Sequence, residues 1–449
     1  MMKKTIYTGI MALLLAAGTG FTSCTFEDDD YFDESASLRI QNFNDSVQST
    51  LVNSDYGWVM QYFTGTQNYH FEGFNLFAKF EDSGKVLIAG DHRYLRDGNA
   101  NTYTEDESTY SMLEEDGPVL AFNTWNDVLT VFADPVNPFY APNTLVNDGA
   151  GMNGDYNYDI ASYSENEVNL LGERYQGPVR MIKCTMPWAD YISQTTALKN
   201  YVANTSITNY YIICGTDTLY FSGLRGGRIR YSERTVDPLQ NDSVACCFTP
   251  NGFHLSEELT IGETTFQDFT LAEDSTMLVS EDGAVQCMAM WDYYIANRTT
   301  LWAFDQTLFT TAMTEAFQAI NDALKDYNSN YELVRISLGK STGGNSVTGV
   351  VLTFYTNANQ TRTNTCGLSL DMAQTGFGQM SFTVPESPSM DQNLTSMSRR
   401  ATNLPTAISN FSALIAGTYN MTPNNYFLPT GATYTSVDGS KTFALEYTE

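Results

Sequence analysis

Short apolar stretches separated by turn-forming residues are the feature of this sequence that most restricts its fold. From Trp58 onward, segments such as GWVMQYF, FNLFAKFED, KVLIAG and DVLTVFAD are broken by Gly, Asn, Asp and Pro. Evenly spaced strands with polar turns form antiparallel sandwiches or barrels, whereas βαβ units alternate each strand with a helix. We therefore predict a mainly β protein with a few helices, of the α+β class, with antiparallel sandwich or barrel-like sheets.

Three segments instead carry apolar residues at three- and four-residue spacing, which is typical of a helix with one buried face. The first follows the candidate caps Asp33 and Ser35, the second covers about residues 189–200, and the third follows Asp305. Strand-like segments follow each helix, so the order of a helix and then strands repeats without a repeated residue motif. The predicted units are a helix plus β domain at 35–186, a second β domain at 187–300 and a helix plus β domain at 301–449, with 385–410 as a covering loop.

The charge balance argues against a nucleic-acid-binding protein. The chain has 52 Asp and Glu against 23 Lys and Arg, a net charge of −29, whereas binding to a phosphate backbone needs basic side chains. An apolar fraction of 42% is enough for a large core, so the chain is not a disordered acidic tail. The three histidines, His70, His92 and His254, have no Cys, Ser or carboxylate at a recognisable catalytic spacing. The sequence therefore predicts no catalytic residue and no cofactor.

The first residues have the pattern of a secretory signal peptide at 1–23. Lys3 and Lys4 precede an apolar segment at 10–17 that is too short to span a bilayer, and Cys24 follows soon after. This junction resembles a bacterial lipoprotein cleavage site, at which Cys24 becomes the lipidated first residue. The alternative is a conventional signal peptide that happens to contain a cysteine.

An acidic run follows Cys24 within a predicted tether at 24–34. A solvated spacer would explain such a run, but it also resembles the export signal that directs Bacteroidetes lipoproteins to the outer face of the outer membrane. Its position directly behind the lipidated residue favours the export signal. We predict a lipid-anchored, surface-exposed outer membrane protein whose export signal is Glu27, Asp28, Asp29 and Asp30.

Several longer segments resemble one family. FDESASLRI, GWVMQYF, FNLFAKFEDSGKV, DGPVLAFNTWNDVLTVFADP, GDYNYDI and NYFLPTGATYTSVDGSKTFALE, with the lipoprotein start, are similar to a Bacteroidetes lipoprotein family known as a domain of unknown function. The resemblance implies a lipoprotein often encoded near outer-membrane nutrient-uptake genes, with a TonB-dependent transporter and its companion lipoproteins as partners. It brings no catalytic motif, and the residue role that it implies is lipidation of Cys24.

Six cysteines follow Cys24, in apolar strand-like segments such as YIICGT and VACCFT. An extracytoplasmic compartment permits disulfides, but buried free thiols are common in such segments, and we favour free thiols. Adjacent Cys246 and Cys247 point to opposite faces of a strand and are not expected to bond each other. The sequence contains no CxxC pair, so it predicts no zinc site.

The segment 339–343 spells G-x-S-x-G and contains GKS, two motifs that elsewhere mark a nucleophile or a phosphate-binding loop. A P-loop would need glycine at Val334, and a nucleophile elbow would need a helix after the serine. Here another strand-like segment follows. We predict a polar hairpin turn.

The segment GDYNYDI alternates Asp155, Asn157 and Asp159 with tyrosines. Oxygens on one face of a strand could bind calcium, but a calcium loop would also need a central Gly and a later Glu. We predict an outward polar face, with Tyr156 and Tyr158 turned inward.

The five tryptophans are the largest stacking surfaces, and most large aromatic side chains in a β protein fill its core. The cluster WDYY is the least strand-like of these places. We predict an exposed ligand platform there, with Asp292 and Asn297 bonding to ligand hydroxyls. The alternative is that Trp302 and Phe304 pack under the following helix and that Trp291 belongs to the core. The platform residues are Trp291, Tyr293 and Tyr294.

Four tripeptides with Asp before Ser or Thr resemble the acceptor of Bacteroidetes O-glycosylation. This short pattern also arises by chance. Some of the four lie in strand-like segments, where burial would prevent modification. The candidate acceptors are Ser46, Thr218, Ser243 and Ser275.

Together these observations predict a non-enzymatic cell-surface lipoprotein that binds a glycan or peptide nutrient for an outer-membrane transporter. One alternative is an extracellular hydrolase with an acidic dyad, and another is a structural or adhesive surface protein. Two facing carboxylates about 5–10 Å apart in a concave cleft would favour the hydrolase. An exposed aromatic strip without such a pair would favour binding.

Overall fold

The computed structural model describes residues 35–447 except 67–68, 97, 116, 135–150, 204–206, 234–241, 297–300 and 343. The predicted signal peptide, Cys24, the acidic export signal and Asn297 lie outside the described residues. Within them, the strands form two closed eight-stranded barrels and one nine-stranded sheet. This architecture confirms the prediction of a mainly β, α+β protein with barrel-like antiparallel sheets.

The first barrel follows helix α1 (Ala36–Val52). Ser35 caps this helix as predicted, because its hydroxyl accepts a hydrogen bond from the backbone N–H of Leu38. Val47 and Leu51 on its inner face are buried against the barrel. The barrel strands are β1 (Trp58–Thr66), β2 (Tyr69–Phe80), β3 (Lys85–Gly90), β4 (Thr104–Glu114), β5 (Pro118–Phe122), β6 (Asn157–Tyr163), β7 (Glu167–Gly172) and β8 (Pro178–Lys183).

Strand β1 closes the first barrel because it pairs with both β2 and β8, so that Tyr62 lies opposite Phe74 on one side and Val179 on the other. Successive side chains of a strand point to opposite faces, so Phe74 and Leu76 in β2 point into the core. The intervening residues of β2 point outward. This outer face of β2 meets the second barrel.

One predicted strand of this region is wrong. DVLTVFAD forms a turn and a 3-10 helix (Thr130–Phe132). The Asn126 side chain initiates the turn, since its Oδ1 atom accepts hydrogen bonds from the N–H groups of Val128 and Leu129, both at 3.0 Å. Val128, Leu129 and Phe132 are buried in the core of the first barrel. The apolar residues of this segment are buried on all sides. A continuous apolar run has no polar–apolar alternation, so the sequence does not distinguish a buried turn and 3-10 helix from a buried strand.

The second barrel follows helix α2 (Trp188–Val202), so the order of one helix and then eight strands occurs twice. Closure is again complete, because β9 pairs with both β10 and β16. Cys246 points into this barrel, whereas Cys247 points outward and packs against Phe63 of the first barrel, as the alternation of a strand requires. The strands are β9 (Asn209–Cys214), β10 (Asp217–Ser222), β11 (Arg228–Ser232), β12 (Asp242–Thr249), β13 (Gly252–Ile261), β14 (Thr264–Leu271), β15 (Leu278–Ser280) and β16 (Gln286–Ala289).

The third sheet is a nine-stranded sheet with the order β20-β19-β18-β17-β25-β24-β23-β22-β21. Its short first strand precedes the predicted helix after Asp305, and that helix buries Met313, Ile320 and Leu324. The elements are α3 (Trp291–Ala296), β17 (Trp302–Phe304), α4 (Thr311–Tyr327), β18 (Glu332–Lys340), β19 (Thr348–Tyr355), β20 (Thr363–Ser369), β21 (Asp371–Gly376), β22 (Gln379–Thr383), α5 (Gln392–Met397), α6 (Leu404–Ile415), β23 (Gly417–Pro423), β24 (Gly431–Ser436) and β25 (Thr442–Tyr447).

The predicted loop at 385–410 is wrong, because α5 and the start of α6 lie within it. Asp391 caps α5 by accepting a hydrogen bond from the N–H of Leu394 at 2.8 Å. Leu394, Leu404 and Ile408 are fully buried in the core of the third sheet. The Ser, Thr and Asn residues around these few apolar side chains concealed the helical spacing.

Candidate functional site

A cleft of about 400 Å³ lies between the two barrels. We call it the inter-barrel cleft. Its walls are strand β2 and the segment after β3 from the first barrel, helix α2, and from the second barrel strand β12 and the turn Leu224–Gly226. Asn75 joins the two barrels beside it, because its Nδ2 atom donates a hydrogen bond to the carbonyl of Phe248 at 2.7 Å. The volume lies in the range of small-molecule sites, which favour junctions between domains.

Two carboxylates line the cleft. Glu72 forms an ion pair of 2.8 Å with Arg93, and burial is the main cause that raises the pKa of the Glu72 carboxyl above its usual value. Asp91 lines the cleft and stays exposed, and partial desolvation by neighbouring atoms raises the pKa of its carboxyl. Raised carboxyl pKa values in a cleft are typical of functional sites, because the charged form lacks full compensation.

Two cations complete the charged lining. Lys199 lies in the last turn of α2, with its Nζ atom 5.9 Å from the ring centroid of Phe248. The charge of Lys199 opposes the rise in the pKa of both Glu72 and Asp91 without reversing it. Among the described residues, neither carboxylate forms a direct ion pair with Lys199. Arg225 projects from the turn Leu224–Gly226 and is exposed.

The turn that carries Arg225 is fixed by two glycines. Gly223 and Gly227 flank it with φ of 82° and 74°, in the left-handed region that favours glycine. A Cβ atom on Gly223 would lie 2.8 Å from the carbonyl oxygen of Arg228, so a larger residue would disturb the turn. Arg225 is therefore held on a defined backbone.

His92 forms part of the cleft wall but is itself buried. Its Nε2 atom lies 2.9 Å from the carbonyl oxygen of Val128, and Phe74 and Phe132 pack around the ring. Burial lowers the pKa of this imidazole to about 4, so the ring is neutral at pH 7. His92 therefore contributes no charge to the cleft at that pH.

A second polar cluster joins the barrels on another part of their interface. Arg180 of β8 lies 2.8 Å from Glu167 and 3.0 Å from Asp268 of the second barrel. The Nδ1 atom of His254 lies 2.9 Å from Asp268, and although burial acts to raise the pKa of Asp268, the hydrogen bond and charge of His254 together with Arg180 lower it. These groups satisfy one another, so the cluster is a structural contact between the barrels.

The expected platform at WDYY is corrected by the structure. Trp291 is 3% exposed and lies in the core that the second barrel shares with the third sheet. Asp292 is fully buried and accepts hydrogen bonds from the Tyr211 hydroxyl at 2.8 Å and from the Gln374 side chain at 2.9 Å. Trp291 and Asp292 therefore have no surface to offer a ligand, and the alternative of core packing is confirmed for Trp291.

Exposed aromatic surface lies nearby on other residues. Tyr293 is 55% exposed, Tyr294 is partly buried, and Phe377 at the β21–β22 turn is 56% exposed. The Phe377 ring packs on Trp291 with a centroid distance of 5.9 Å. Among the tryptophans, Trp125 is the exposed one, at 47%.

The four candidate O-glycosylation acceptors differ in accessibility. Ser46 on α1 and Ser275 in a turn are exposed, whereas Thr218 and Ser243 lie in strands and are partly buried. The Ser243 hydroxyl also accepts a hydrogen bond from Nε of Arg228 at 3.0 Å.

The remaining motifs occupy structural positions. Ser341 of the G-x-S-x-G segment is buried at the β18–β19 hairpin, where its hydroxyl accepts from the N–H of Val347 at 3.1 Å; Gly343 lies outside the described residues. This position agrees with the predicted hairpin turn. Cys184, Cys214, Cys246, Cys247, Cys287 and Cys366 are free thiols.

The predicted face of GDYNYDI is correct for Tyr158, which is buried, and for Asp159, which is exposed. It is wrong for Asp155 and Tyr156, because strand β6 begins only at Asn157 and the alternation does not extend before it. Asp155 is buried and accepts from the N–H groups of Arg174 and Tyr175, while Tyr156 is 44% exposed.

Sequence reasoning missed the inter-barrel cleft. One signal was present. Glu72 lies an even number of residues from the core residues Phe74 and Leu76, so its side chain belongs to the same face of β2, and a charged residue on the core face of a strand is unusual. No local pattern marked Asp91, Lys199 or Arg225, since each comes from a different element. Among the described residues, no group of three or more His, Cys, Asp or Glu side chains is arranged to hold a metal ion. None of the described helices has the length and apolar character needed to span a membrane.

The fold and site thus define a protein of two helix-led β-barrels and a third sheet, with a charged cleft between the barrels. Residues 28–273, more than half of the chain, match the family described as Domain of unknown function (DUF4302). The chain belongs to this family.

Comparison with other proteins adds no function. No curated protein matches the chain. The DNA polymerase III subunit beta from Pseudomonas aeruginosa is 8% identical, with a TM-score of 0.13 over 91% of this chain and 97% of that chain. The DNA polymerase sliding clamp from Caulobacter crescentus is 9% identical, with a TM-score of 0.13 over 89% and 94%. At such TM-scores the likeness assigns neither a fold nor a function to this chain.

Proposed function

We propose that this protein is a non-enzymatic, lipid-anchored surface protein that binds a glycan or peptide nutrient in the inter-barrel cleft for an outer-membrane transporter. The observation that carries the proposal is the cleft itself, a 400 Å³ space lined by side chains of both charges at the junction of two closed barrels. Polar groups held on rigid strands and a helix can orient a polar ligand without first being ordered. A TonB-dependent transporter and its companion lipoproteins are the proposed partners.

The binding proposal is tested by filling the cleft. Thr196 on α2 lines the cleft, whereas Ser193 lies exposed on the same helix outside it. We expect Thr196→Trp to abolish binding of a ligand identified by screening glycan and peptide panels, because an indole occupies the space that the ligand needs. Ser193→Trp should leave the dissociation constant unchanged in titration calorimetry. Equal affinity of both variants would contradict binding in the cleft.

The lipid anchor has a separate test. Cys24→Ala should release the protein from the membrane, because the thiol that carries the acyl chains is gone. Replacement of Glu27, Asp28, Asp29 and Asp30 by Ala should keep the lipid but remove accessibility to protease on intact cells. A Cys24→Ala protein that still partitions with membranes would contradict the proposed anchor.

A second candidate function is acid–base hydrolysis, which one observation favours. Glu72 and Asp91 line the same cleft, and desolvation raises the pKa of both carboxyls, as general acid catalysis requires. Incubation with glycan and peptide panels and measurement of new reducing ends or amines tests it. Cleavage by the wild type that is lost in Asp91→Asn and in Glu72→Gln would replace the binding proposal with a hydrolase.

A further inference from the structure

We infer that the ligand of the inter-barrel cleft is an acidic saccharide, with a carboxylate bound by Lys199 and Arg225 and hydroxyls that donate to Asp91 and Glu72. The inference rests on the proposed function of this cleft and narrows its ligand to one chemical class.

The charge of the cleft lining favours an anionic ligand. The cleft contains three cations, Arg93, Lys199 and Arg225, against two carboxylates, Glu72 and Asp91, while His92 is neutral at pH 7. The lining therefore carries one net positive charge in a chain whose net charge is −29. A ligand with a single negative charge would neutralise it. Groups in direct contact lie within the Debye length of about 8 Å at physiological ionic strength, so salt screens their attraction only in part.

The cations of the cleft differ in whether a carboxylate already binds them. Arg93 is already engaged by Glu72 at 2.8 Å. Lys199 and Arg225 form no ion pair with a carboxylate within the described part of the chain, although acidic residues outnumber basic ones by 52 to 23. A cation without a carboxylate partner in so acidic a protein is available to an anionic ligand group. The Nζ atom of Lys199 lies 5.9 Å from the centroid of the Phe248 ring, at the range of a cation–π contact on the cleft wall.

The carboxylates of the cleft favour hydroxyl groups on the neutral part of the ligand. Glu72 and Asp91 line the cleft, and their carboxylate oxygens accept hydrogen bonds from uncharged donors as well as from cations. Hydroxyl groups are such donors, and they bring no positive charge close to Lys199 and Arg225. Thr196 and Asn101 on the cleft wall add side chains that both donate and accept.

A peptide fits the cleft less well. Peptides commonly add a strand to an open sheet edge, but β2 pairs with β1 and β3, and β12 pairs with β11 and β13. Closed barrels leave no such edge at the cleft walls. The topology of the cleft walls therefore favours the saccharide.

The test is titration calorimetry of the full-length chain in detergent with two acidic probes and their neutral counterparts. Trigalacturonic acid is compared with galactotriose, and sialyllactose with lactose. We expect at least one acidic probe to bind at least tenfold more tightly than its neutral counterpart, because a charge-assisted pair is about twice as strong as a neutral hydrogen bond. Raising sodium chloride from about 50 to 500 mM should weaken this binding, since salt screens accessible charges.

Two variants locate the carboxylate. Lys199→Gln and Arg225→Gln should each lower the affinity for the acidic probe about tenfold and leave the thermal midpoint unchanged. Arg230→Gln is the matched control, because Arg230 is exposed on the neighbouring strand β11 but does not line the cleft.

The outcomes separate the two proposals. Equal binding of acidic and neutral saccharides, lost in Thr196→Trp, overturns the acidic saccharide and retains a cleft that binds glycans. Binding of peptides alone also overturns the acidic saccharide. If no saccharide or peptide binds in the cleft, the proposed function itself is wrong.

Discussion

The two junctions of this molecule are built differently. Between the first and second barrels lie the polar inter-barrel cleft, the Arg180 cluster and a small apolar contact of Phe63, Ala245 and Cys247, while a further apolar cluster joins Phe77 of the first barrel to Tyr191 of helix α2. Between the second barrel and the third sheet lies one continuous core, in which Tyr211 and Met288 of the barrel pack with side chains of the sheet. The first junction is charged and contains a cleft, whereas the second is apolar and closed.

The charged groups of the two junctions differ in how completely they are paired. At the second junction Asp292 is fully buried, and four hydrogen bonds satisfy it, from Tyr211, Gln374 and the N–H groups of Tyr293 and Gly378. A polar group with all its partners inside the protein stabilises the fold and has no capacity for a ligand. At the first junction Lys199 and Arg225 have no carboxylate partner among the described residues and face open space. Incomplete compensation, rather than polarity itself, distinguishes the cleft.

Truncation of Trp291 tests the second junction and should cause the largest loss of stability. Trp291→Ala should lower the free energy of unfolding by about 3–5 kcal/mol, because it leaves a cavity in a packed core. Tyr293→Ala, two residues away at a 55% exposed position, should change it by less than about 0.5 kcal/mol. Urea denaturation of the two variants measures both values. A small loss for Trp291→Ala would show that this junction is not closed in solution.

Acidification tests the first junction. The pKa of His92 is lowered to about 4 in the folded protein, whereas the ordinary value in an unfolded chain is 6.5. Between these values the unfolded chain binds a proton that the folded protein does not, so the stability falls as the pH drops from 6.5 to 4. The loss reaches about 3 kcal/mol at pH 4.

His92→Phe removes this titration. Its free energy of unfolding should therefore vary less between pH 7 and pH 4 than that of the wild type, whatever its absolute stability at pH 7. Urea denaturation at several pH values measures the two curves. Parallel curves would show that His92 is accessible to protons in the folded protein and that the cleft wall is open there.

Disruption of the Arg180 cluster should cause the smallest loss of stability. Arg180→Gln should lower the free energy of unfolding by about 1–2 kcal/mol, since the side chains of Arg180 and Asp268 keep 25% and 38% of their surface in solvent, which weakens the pair. Asp268→Asn and the double variant complete a thermodynamic cycle that isolates the coupling between the barrels. A coupling energy near zero would mean that the cleft, and not this cluster, sets how the barrels meet.

The fold class was predictable because strand periodicity is a local property. In β7 the buried Val168 and Leu170 alternate with the partly buried Glu167 and Asn169, as side chains of a strand do whatever the strand pairs with. The helix of Met313, Ile320 and Leu324 is likewise local. The errors arose where burial on all sides hid the period, as at 127–134, or where polar residues outnumbered the apolar ones, as at 385–410.

The residues of the cleft were not predictable, apart from the unusual phase of Glu72 in β2. Of the residues predicted for the aromatic platform, Trp291 is core and Tyr293 is exposed, and Phe377 is a further exposed ring nearby. A large aromatic gains more free energy from burial than from any single surface contact, so its exposure depends on whether another element covers it. The third sheet covers Trp291.

The spacing of apolar residues is enough to predict antiparallel strands preceded by helices, because it fixes which local structure can bury them. Tertiary contacts close the strands into two barrels, form the cleft at their junction and bring Glu72, Asp91, Lys199 and Arg225 to its walls. These residues come from a strand, a loop, a helix and a turn that lie far apart in the chain. Their proximity is a consequence of barrel closure and packing, and long-range contacts of this kind have no local pattern.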